Sequence, residues 1–423
     1  MGEERKLVLA AIAVRILFAA LFFHIWDVVA FQEALHQFFS GGNVYAFVAK
    51  KTEELVQATG MNLHYEGYAY LPHALYILAP FYLAYRALGG VPEPIKGVEG
   101  TFYILKMYLL PDVYLFLLFI KLPLILADAA TSYLLYRWFG RKYGWAYALN
   151  PYVVFITAFW GAFDGLVAFF LFTAVVMELK ERSTLSGFLY GVSLMKFYTG
   201  LAVIPLLYHA GKKGRDRLGK FITGVVISQA PTIYYFIKDP ASFLTATVFF
   251  HGSRVGNGVT PLNVLQEIHN FAFSVRVSAV ASLIALFAWG LVSYYVVKKD
   301  LSLPEAVVLT IMSGLFLGKI VHEQYLLGIF PLLLLSDYDK VKTLGNLMLL
   351  FAVFNTGLIY FATPVMGLLP YPLWNWVLSV YRAAVWGAGI LGATLANLRL
   401  ALTFAVGSAF FIRIATYVMN KVG

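Results

Sequence analysis

The 423-residue chain contains no cysteine, which excludes disulfides and thiolate metal sites. Charge is scarce as well. Asp, Glu, Lys and Arg together make up 13% of the residues, about half their share in an ordinary water-soluble domain. Acidic residues are the scarcer sign, 22 against 32 basic ones. What replaces charge is apolar surface: 61% of the residues are hydrophobic and the mean hydropathy is +0.75. A membrane-spanning helix needs about 20 apolar residues, and such runs recur from residue 7 almost to the end, leaving no room for a soluble domain. These features predict an all-α, polytopic transmembrane helical bundle forming a single integral-membrane domain, 1–423. No small-residue cleavage site follows the first apolar run, so the expectation is a retained helix and not a signal peptide. The net charge of +10 fits loop lysines and arginines that set orientation, and no nucleic-acid motif is present.

About 13–15 apolar segments are expected, at 7–25, 70–88, 102–121, 123–139, 145–160, 165–179, 185–197, 198–210, 218–237, 277–297, 303–320, 324–336, 342–361, 376–397 and 400–418. With a cytoplasmic N-terminus, the basic loops "RWFGRKYG" (137–144), "KERS" (180–183), "KKGRDRLGK" (212–220), "KKD" (298–300) and "DYDKVK" (337–342) fall inside, as positive-inside sorting requires. Seven of the eight histidines (24, 36, 64, 73, 251, 269 and 322) then fall on or near the extracytoplasmic side, and only His209 falls inside. The segments 185–197 and 198–210 span about 20 Å each at 1.5 Å per residue. Half-length helices are tolerated only beside protein or a wet cavity, so a cavity open to the outer face is expected.

Charges inside apolar runs mark the candidate site. Asp27 follows the first helix, and Val28, Phe31, Leu35, Phe38 and Phe39 recur at helical spacing behind it. That pattern predicts an interfacial helix over 28–39 with Asp27 at its mouth, where an aspartate also serves as an N-cap. Asp164, in "AFWGAFDGLVAFF" (158–170), either caps the next span or faces a substrate. Lys121 and Lys196 are cations within apolar runs, for which snorkelling to the interface is the simple explanation. Lys196, at the junction of the two half-length segments, is also placed to meet a phosphate. Asp128, two turns along the same face from Lys121, is the expected structural partner of that lysine. The loop "FFHGSRVGNGVTPLN" (249–263) carries His251 and Arg254 among three glycines, a composition suited to a lid over an anion. His322 and Glu323 lie at an outer turn in "KIVHEQYLLGIFP" (319–331), without zinc-binding HExxH spacing, because residue 326 is Leu.

The order of "WDVVAFQEALHQFFSGGNVY", "YEGYAYLPH", "KLPLILADAATSYLLYRWF", "ALNPYVVFITAFWGAFDGL" and "LYGVSLMKFYTGLAVIPLL" resembles the GT-C superfamily of membrane glycosyltransferases. Within it, the likeness is to the catalytic subunit of GPI mannosyltransferase I and its prokaryotic relatives. It covers residues 5–210, and "VHEQYLLGIFPLLLL" (321–335) is similar to a later segment of dolichol-linked transferases. The resemblance implies a GT-C catalytic module over 5–237, followed by a lid loop and C-terminal helices over 238–423. It implies transfer of a sugar, such as mannose from dolichyl phosphate mannose or another polyprenyl-phosphate donor, to a lipid or glycan acceptor at the extracytoplasmic face of a prokaryotic membrane.

In that family the acid after the first helix is essential, and Asp27 occupies its place. The second acid two residues on is absent, since residue 29 is Val, so the resemblance implies one general base and no required cofactor, a divalent cation being optional. Asp27 then takes the acceptor's proton. Lys196, Arg254, Lys121 and His322 neutralise the leaving phosphate, with Asp164, His251, Glu323 and His73 lining the pocket. Tyr68 and Tyr70 are the expected rings to stack against sugar, the alternative for either being an ordinary interfacial aromatic belt. A single displacement makes an α-linked product from a β-linked donor. The alternative is a secondary transporter or lipid flippase, which calls for two related halves and a site near the midplane. No such repeat is visible, and the unusual charges gather toward one face.

Overall fold

A computed structural model of the chain describes residues 2–60, 64–90, 112–254, 257–259, 271–316, 318–355 and 389–422, with Leu373, Trp376 and Ser379. Among these the protein is almost wholly helical, with one short strand pair. The first part of the apolar segment 102–121, loop positions 260–263, His269 and much of segment 376–397 lie outside the described residues.

Helix α1 (Glu3–Ala19) is followed by α2 (Ile25–Phe39). The helix expected over 28–39 is therefore present but starts three residues early: His24 holds the N-cap position, and Asp27 lies in the first turn instead of capping it. Buried Val28, Val29, Phe31, Ala34 and Leu35 give α2 its packed face. A third helix, α3 (Val44–Thr59), occupies what the sequence suggested was loop. Its polar run "KKTEELVQ" hides an amphipathic pattern in which Val44, Tyr45, Val48 and Thr52 are buried, and the Asn43 side chain caps it by accepting from Tyr45 N at 3.0 Å.

After α4 (His73–Ala87) comes α5 (Val113–Phe139), one continuous helix where two segments were expected. Pro123 lies inside it without ending it. Helices α6 (Arg141–Ala148) and α7 (Pro151–Val154) lead into a π-turn, Phe155–Trp160. Then follow α8 (Asp164–Leu179) and α9 (Ser183–Ser193), a 3₁₀ turn over Phe197–Ala202, and α10 (Val203–Lys212). The two half-length segments are thus real and meet at Lys196. The expected span 218–237 is instead α11 (Arg215–Ser228) and α12 (Ala230–Lys238), with Pro231 in the first turn after the break. Short α13 (Pro240–Leu244) and α14 (Phe250–Ser253) precede β1 (Asn257–Gly258). The remainder is α15 (Phe271–Lys299), α16 (Leu303–Leu315), β2 (Ile320–Val321), α17 (Tyr325–Ser336), α18 (Tyr338–Asn355) and α19 (Gly389–Val422).

Among the described residues, three helical stretches, Val113–Phe139, Val275–Lys299 and Asn397–Lys421, are long and apolar enough to cross a membrane, compatible with a membrane protein. Helices α8, α16 and α17 are buried along most of their length and form the centre. On the outside, α15 and α19 present large apolar side chains such as Leu283, Phe287, Ile412 and Met419, a surface suited to hydrocarbon and costly in water.

The basic loops gather at one end of the bundle. There Arg137 meets Glu4 at 3.1 Å, Arg217 meets Glu178 at 3.1 Å, and Lys142 lies 3.5 Å over the Tyr338 ring. At mid-depth, Arg15 Nε donates to Asp128 Oδ2 at 2.7 Å, with both side chains fully buried. Asp128 also accepts from Tyr147 at 3.0 Å and Thr157 at 2.7 Å. Its expected pairing with Lys121 is thereby corrected, because a guanidinium from α1 reaches it first and the Lys121 amine is engaged elsewhere. A buried pair with satisfied oxygens is tolerable, whereas half a pair is not. Asp128→Leu or Arg15→Met alone is expected to cost about 3–5 kcal/mol in detergent unfolding. The double variant should recover part of that loss, and additive losses would contradict the pairing.

Candidate functional site

The end of the bundle opposite the basic loops gathers the C-terminal end of α1 and the N-terminal ends of α2, α8 and α17, with the α9–α10 junction. Asp27 stands there on the first turn of α2. Trp160 Nε1 donates to its Oδ2 at 2.5 Å, and His24 Nδ1 lies 3.4 Å from the same oxygen. The His24 ring stacks on the Trp160 indole with centroids 4.5 Å apart, and His24 N donates to Trp160 O at 2.8 Å. Burial pushes the Asp27 carboxyl up. The hydrogen bond and charge of His24, the Lys196 charge and the Trp160 indole outweigh it and hold the group at about 2.

The turn that delivers Trp160 is set by Gly161, which has φ +85° and on which a Cβ would stand 2.6 Å from Lys121 Cε. Only glycine fits both demands. Three residues on, Asp164 is the first residue of α8 and caps nothing. Its Oδ2 accepts from Lys196 Nζ at 2.5 Å and its Oδ1 from the Tyr198 hydroxyl at 3.0 Å. The Lys196 ammonium sits among the rings of Phe163 (4.6 Å), Tyr325 (5.2 Å) and Tyr70 (5.4 Å), a placement that favours a cation. Tyr70 and Tyr325 both feel the charges of Asp27, Asp164 and Arg254, so the two acids, Lys196 and Arg254 cluster around these two rings.

The far side of the cluster comes from residues 250–254 and 257–259. Residues 257–258 pair in parallel with 320–321, and Val259 N donates to Val321 O at 2.8 Å. Gly258 (φ +85°) is required there, since a Cβ would lie 2.0 Å from Val321 O. This clasp brings Arg254 Nη2 to 3.2 Å from His322 Nε2, and Lys319 Nζ to Gly252 O at 2.7 Å. A guanidinium has only donors, so His322 accepts at Nε2 and is the neutral imidazole. Burial and the charges of Arg254 and Lys196 hold it well below its ordinary value. His251 bonds Ala69 O at 3.0 Å, and burial, with Arg254 and Lys196, pushes it down to about 4.

Exposure separates the two acids. The Asp27 side chain is 18% exposed, while Asp164 is 0% and Lys196 4%. Asp27 is the partly exposed carboxylate of the two, and the Asp164–Lys196 pair is buried.

Of the expected site residues, the structure therefore brings together Asp27, Asp164, Lys196, Arg254, His251, His322 and Tyr70. Glu323 is buried beside them, its main-chain carbonyl accepting from Tyr152 at 2.6 Å. Three expectations are corrected. Lys121 does not face the pocket: it donates to Phe22 O, to Ala158 O at 2.8 Å and to Phe159 O at 3.3 Å. His73 bonds Ser228 O at 2.8 Å between α4 and α11. Tyr68 is buried and donates to Leu71 O at 2.7 Å, behind Tyr70. Trp160, His24, Tyr198 and Tyr325 were not anticipated as site residues. Their signals were local: His24 three residues before Asp27, Tyr198 two after Lys196, and Trp160 in the turn before Asp164. Among the described residues no group of three His, Asp or Glu side chains is placed to hold a metal ion.

No protein-family model matches the chain, and no curated protein matches it.

The depressed histidines fix a pH dependence. Between the ordinary histidine value of 6.5 and about 4, the unfolded chain binds a proton at residue 251 that the folded chain does not. Stability is therefore lost as pH falls through that window. Asp27, held at about 2, adds stability that is present above 3.8 and fades only below it. The melting temperature in detergent should fall between pH 6.5 and 4, and His251→Gln should flatten part of the slope. A flat wild-type profile would contradict the assignment.

Proposed function

We propose that the chain is a GT-C-type membrane glycosyltransferase that moves a sugar, such as mannose, from a polyprenyl-phosphate carrier to a lipid or glycan hydroxyl, with its site extracytoplasmic and its basic loops cytoplasmic. The observation that supports this reading is the grouping, at one end of the bundle, of a partly exposed carboxylate, Asp27, with the cations Arg254 and Lys196. The pocket is at one end of an apolar bundle, where a carrier's hydrocarbon tail stays in lipid while its headgroup enters sideways.

The chemistry follows from the parts. The acceptor oxygen attacks the anomeric carbon as the bond from that carbon to the phosphate oxygen breaks, the electron pair leaving with the phosphate. Arg254 meets the growing phosphate charge, and Lys196 stands behind it, its own charge already balanced by Asp164. Asp27 accepts the hydroxyl proton. A carboxyl group held at about 2 is a weak base, so it holds that proton only briefly. The final resting place is the departed phosphate, whose second ionisation lies near pH 6 by analogy with phosphorylated side chains. Ring faces at Tyr70 and Tyr325 are available to the sugar. Transport of the carrier without chemistry is the competing reading, and a product assay separates the two.

Purified protein incubated with a panel of polyprenyl-phosphate sugars and membrane lipids should yield a glycosylated lipid with the anomeric configuration inverted. Asp27→Asn should lower kcat by about 10²–10⁴-fold while the protein still folds. A retained anomer, full activity in Asp27→Asn, or carrier movement without any new glycosidic bond would contradict the proposal.

A further inference from the structure

The Lys121 amine, on the N-terminal half of α5 and fully buried, is paired with no acid among the described residues. It meets three main-chain carbonyls, Phe22 O, Ala158 O and Phe159 O. We infer that Lys121 is a positioning residue for Asp27, acting through Trp160 and His24. The consequence for rate rests on the sugar-transfer reading; the geometric claim does not.

Ala158 and Phe159 lie in the last turn before the chain leaves the π-turn at Gly161, where carbonyls run out of intrahelical donors. Phe22 lies just beyond the end of α1. A carbonyl left without a donor inside an apolar bundle is costly, and a lysine side chain supplies two N–H donors as an amine and three as an ammonium. Donation to these carbonyls ties two separate chain ends to one point on α5.

Those two ends carry the groups that hold the Asp27 carboxylate. Trp160 directly follows Phe159, and His24 follows Phe22 by two residues. The ends are further joined by the His24 N to Trp160 O bond and by stacking of Phe22 on Phe159, with ring centroids 3.8 Å apart. Gly161 completes the nest, since any side chain there would strike the Lys121 stem. Removing the amine frees both ends, and the indole that donates to Asp27 Oδ2 moves with them. A lysine in an apolar run thus acts on the reaction without touching either substrate.

The test has two independent arms. In protein labelled with 5-fluorotryptophan, the Trp160 ¹⁹F resonance is identified by its loss in Trp160→Phe, and in otherwise wild-type protein it should shift in Asp27→Asn. In Lys121→Met it should move, and adding Asp27→Asn should then leave it unchanged. In the transfer assay, Lys121→Met should lower kcat by about 10- to 100-fold, the scale of a misplaced catalytic group, with the donor KM within about twofold. Added to Trp160→Phe, it should lower kcat no further. Should Lys121→Met fail to fold, Gly161→Ala presses on the same contact from the other side and should give the same two readouts. An unchanged Trp160 resonance, or losses that add fully to those of Trp160→Phe, would overturn the inference. Absence of transfer by wild-type protein with every donor would instead sink the sugar-transfer reading, and the ¹⁹F arm would still decide the role of Lys121.

Discussion

A charge placed in an apolar bundle has to be met by another charge or by a full set of hydrogen bonds, and the buried ionisable groups of this chain obey that constraint in different ways. Arg15 and Asp128 meet as a pair at mid-depth, where they lock α1 against α5. Lys121 meets main-chain carbonyls. Asp164 and Lys196 neutralise each other at the pocket wall. Asp27, by contrast, is held by an indole N–H and a histidine and keeps partial exposure. It is the most open of these charges, and the others hold the frame around it.

The frame is built from broken elements. The α9–α10 junction, the π-turn ending at Gly161 and the clasp between residues 257–258 and 320–321 all interrupt regular structure at the same end of the bundle. Interruptions expose main-chain groups and redirect side chains, which costs stability in an apolar surrounding. Here they aim Trp160, Lys196 and Arg254 into one volume. The opposite end, with Arg217 on Glu178 and Arg137 on Glu4, holds ordinary ion pairs at regular helix ends.

Much of this is legible in the chain itself. Asp27, Asp164, Lys196, Arg254 and His322 stand out because a charge or imidazole beside apolar runs needs a reason, and the structure gathers all five. The half-length helices meeting at Lys196 are readable from their length. Partners are not readable. Asp128 has Lys121 two turns away on its own helix, but its partner is Arg15, 113 residues distant, and sequence spacing says nothing of contacts between helices. Lys121 itself looks the same in sequence whether it faces a phosphate or three carbonyls. Trp160, Tyr198 and Tyr325 are hidden because 28 tyrosines, 36 phenylalanines and 8 tryptophans leave no single ring conspicuous. Helix α3 is hidden because its polar face is long and its buried face is only four residues.

The account's central claim is that one pocket holds a carrier phosphate against Arg254 while Asp27 faces the anomeric carbon. Its most direct test is a structure determined with a non-hydrolysable polyprenyl-phosphonate sugar. The account predicts the phosphonate within hydrogen-bonding reach of Arg254, and the sugar between the Tyr70 and Tyr325 rings with its anomeric carbon toward Asp27. A ligand seated elsewhere in the bundle, or one whose sugar points away from Asp27, would contradict it.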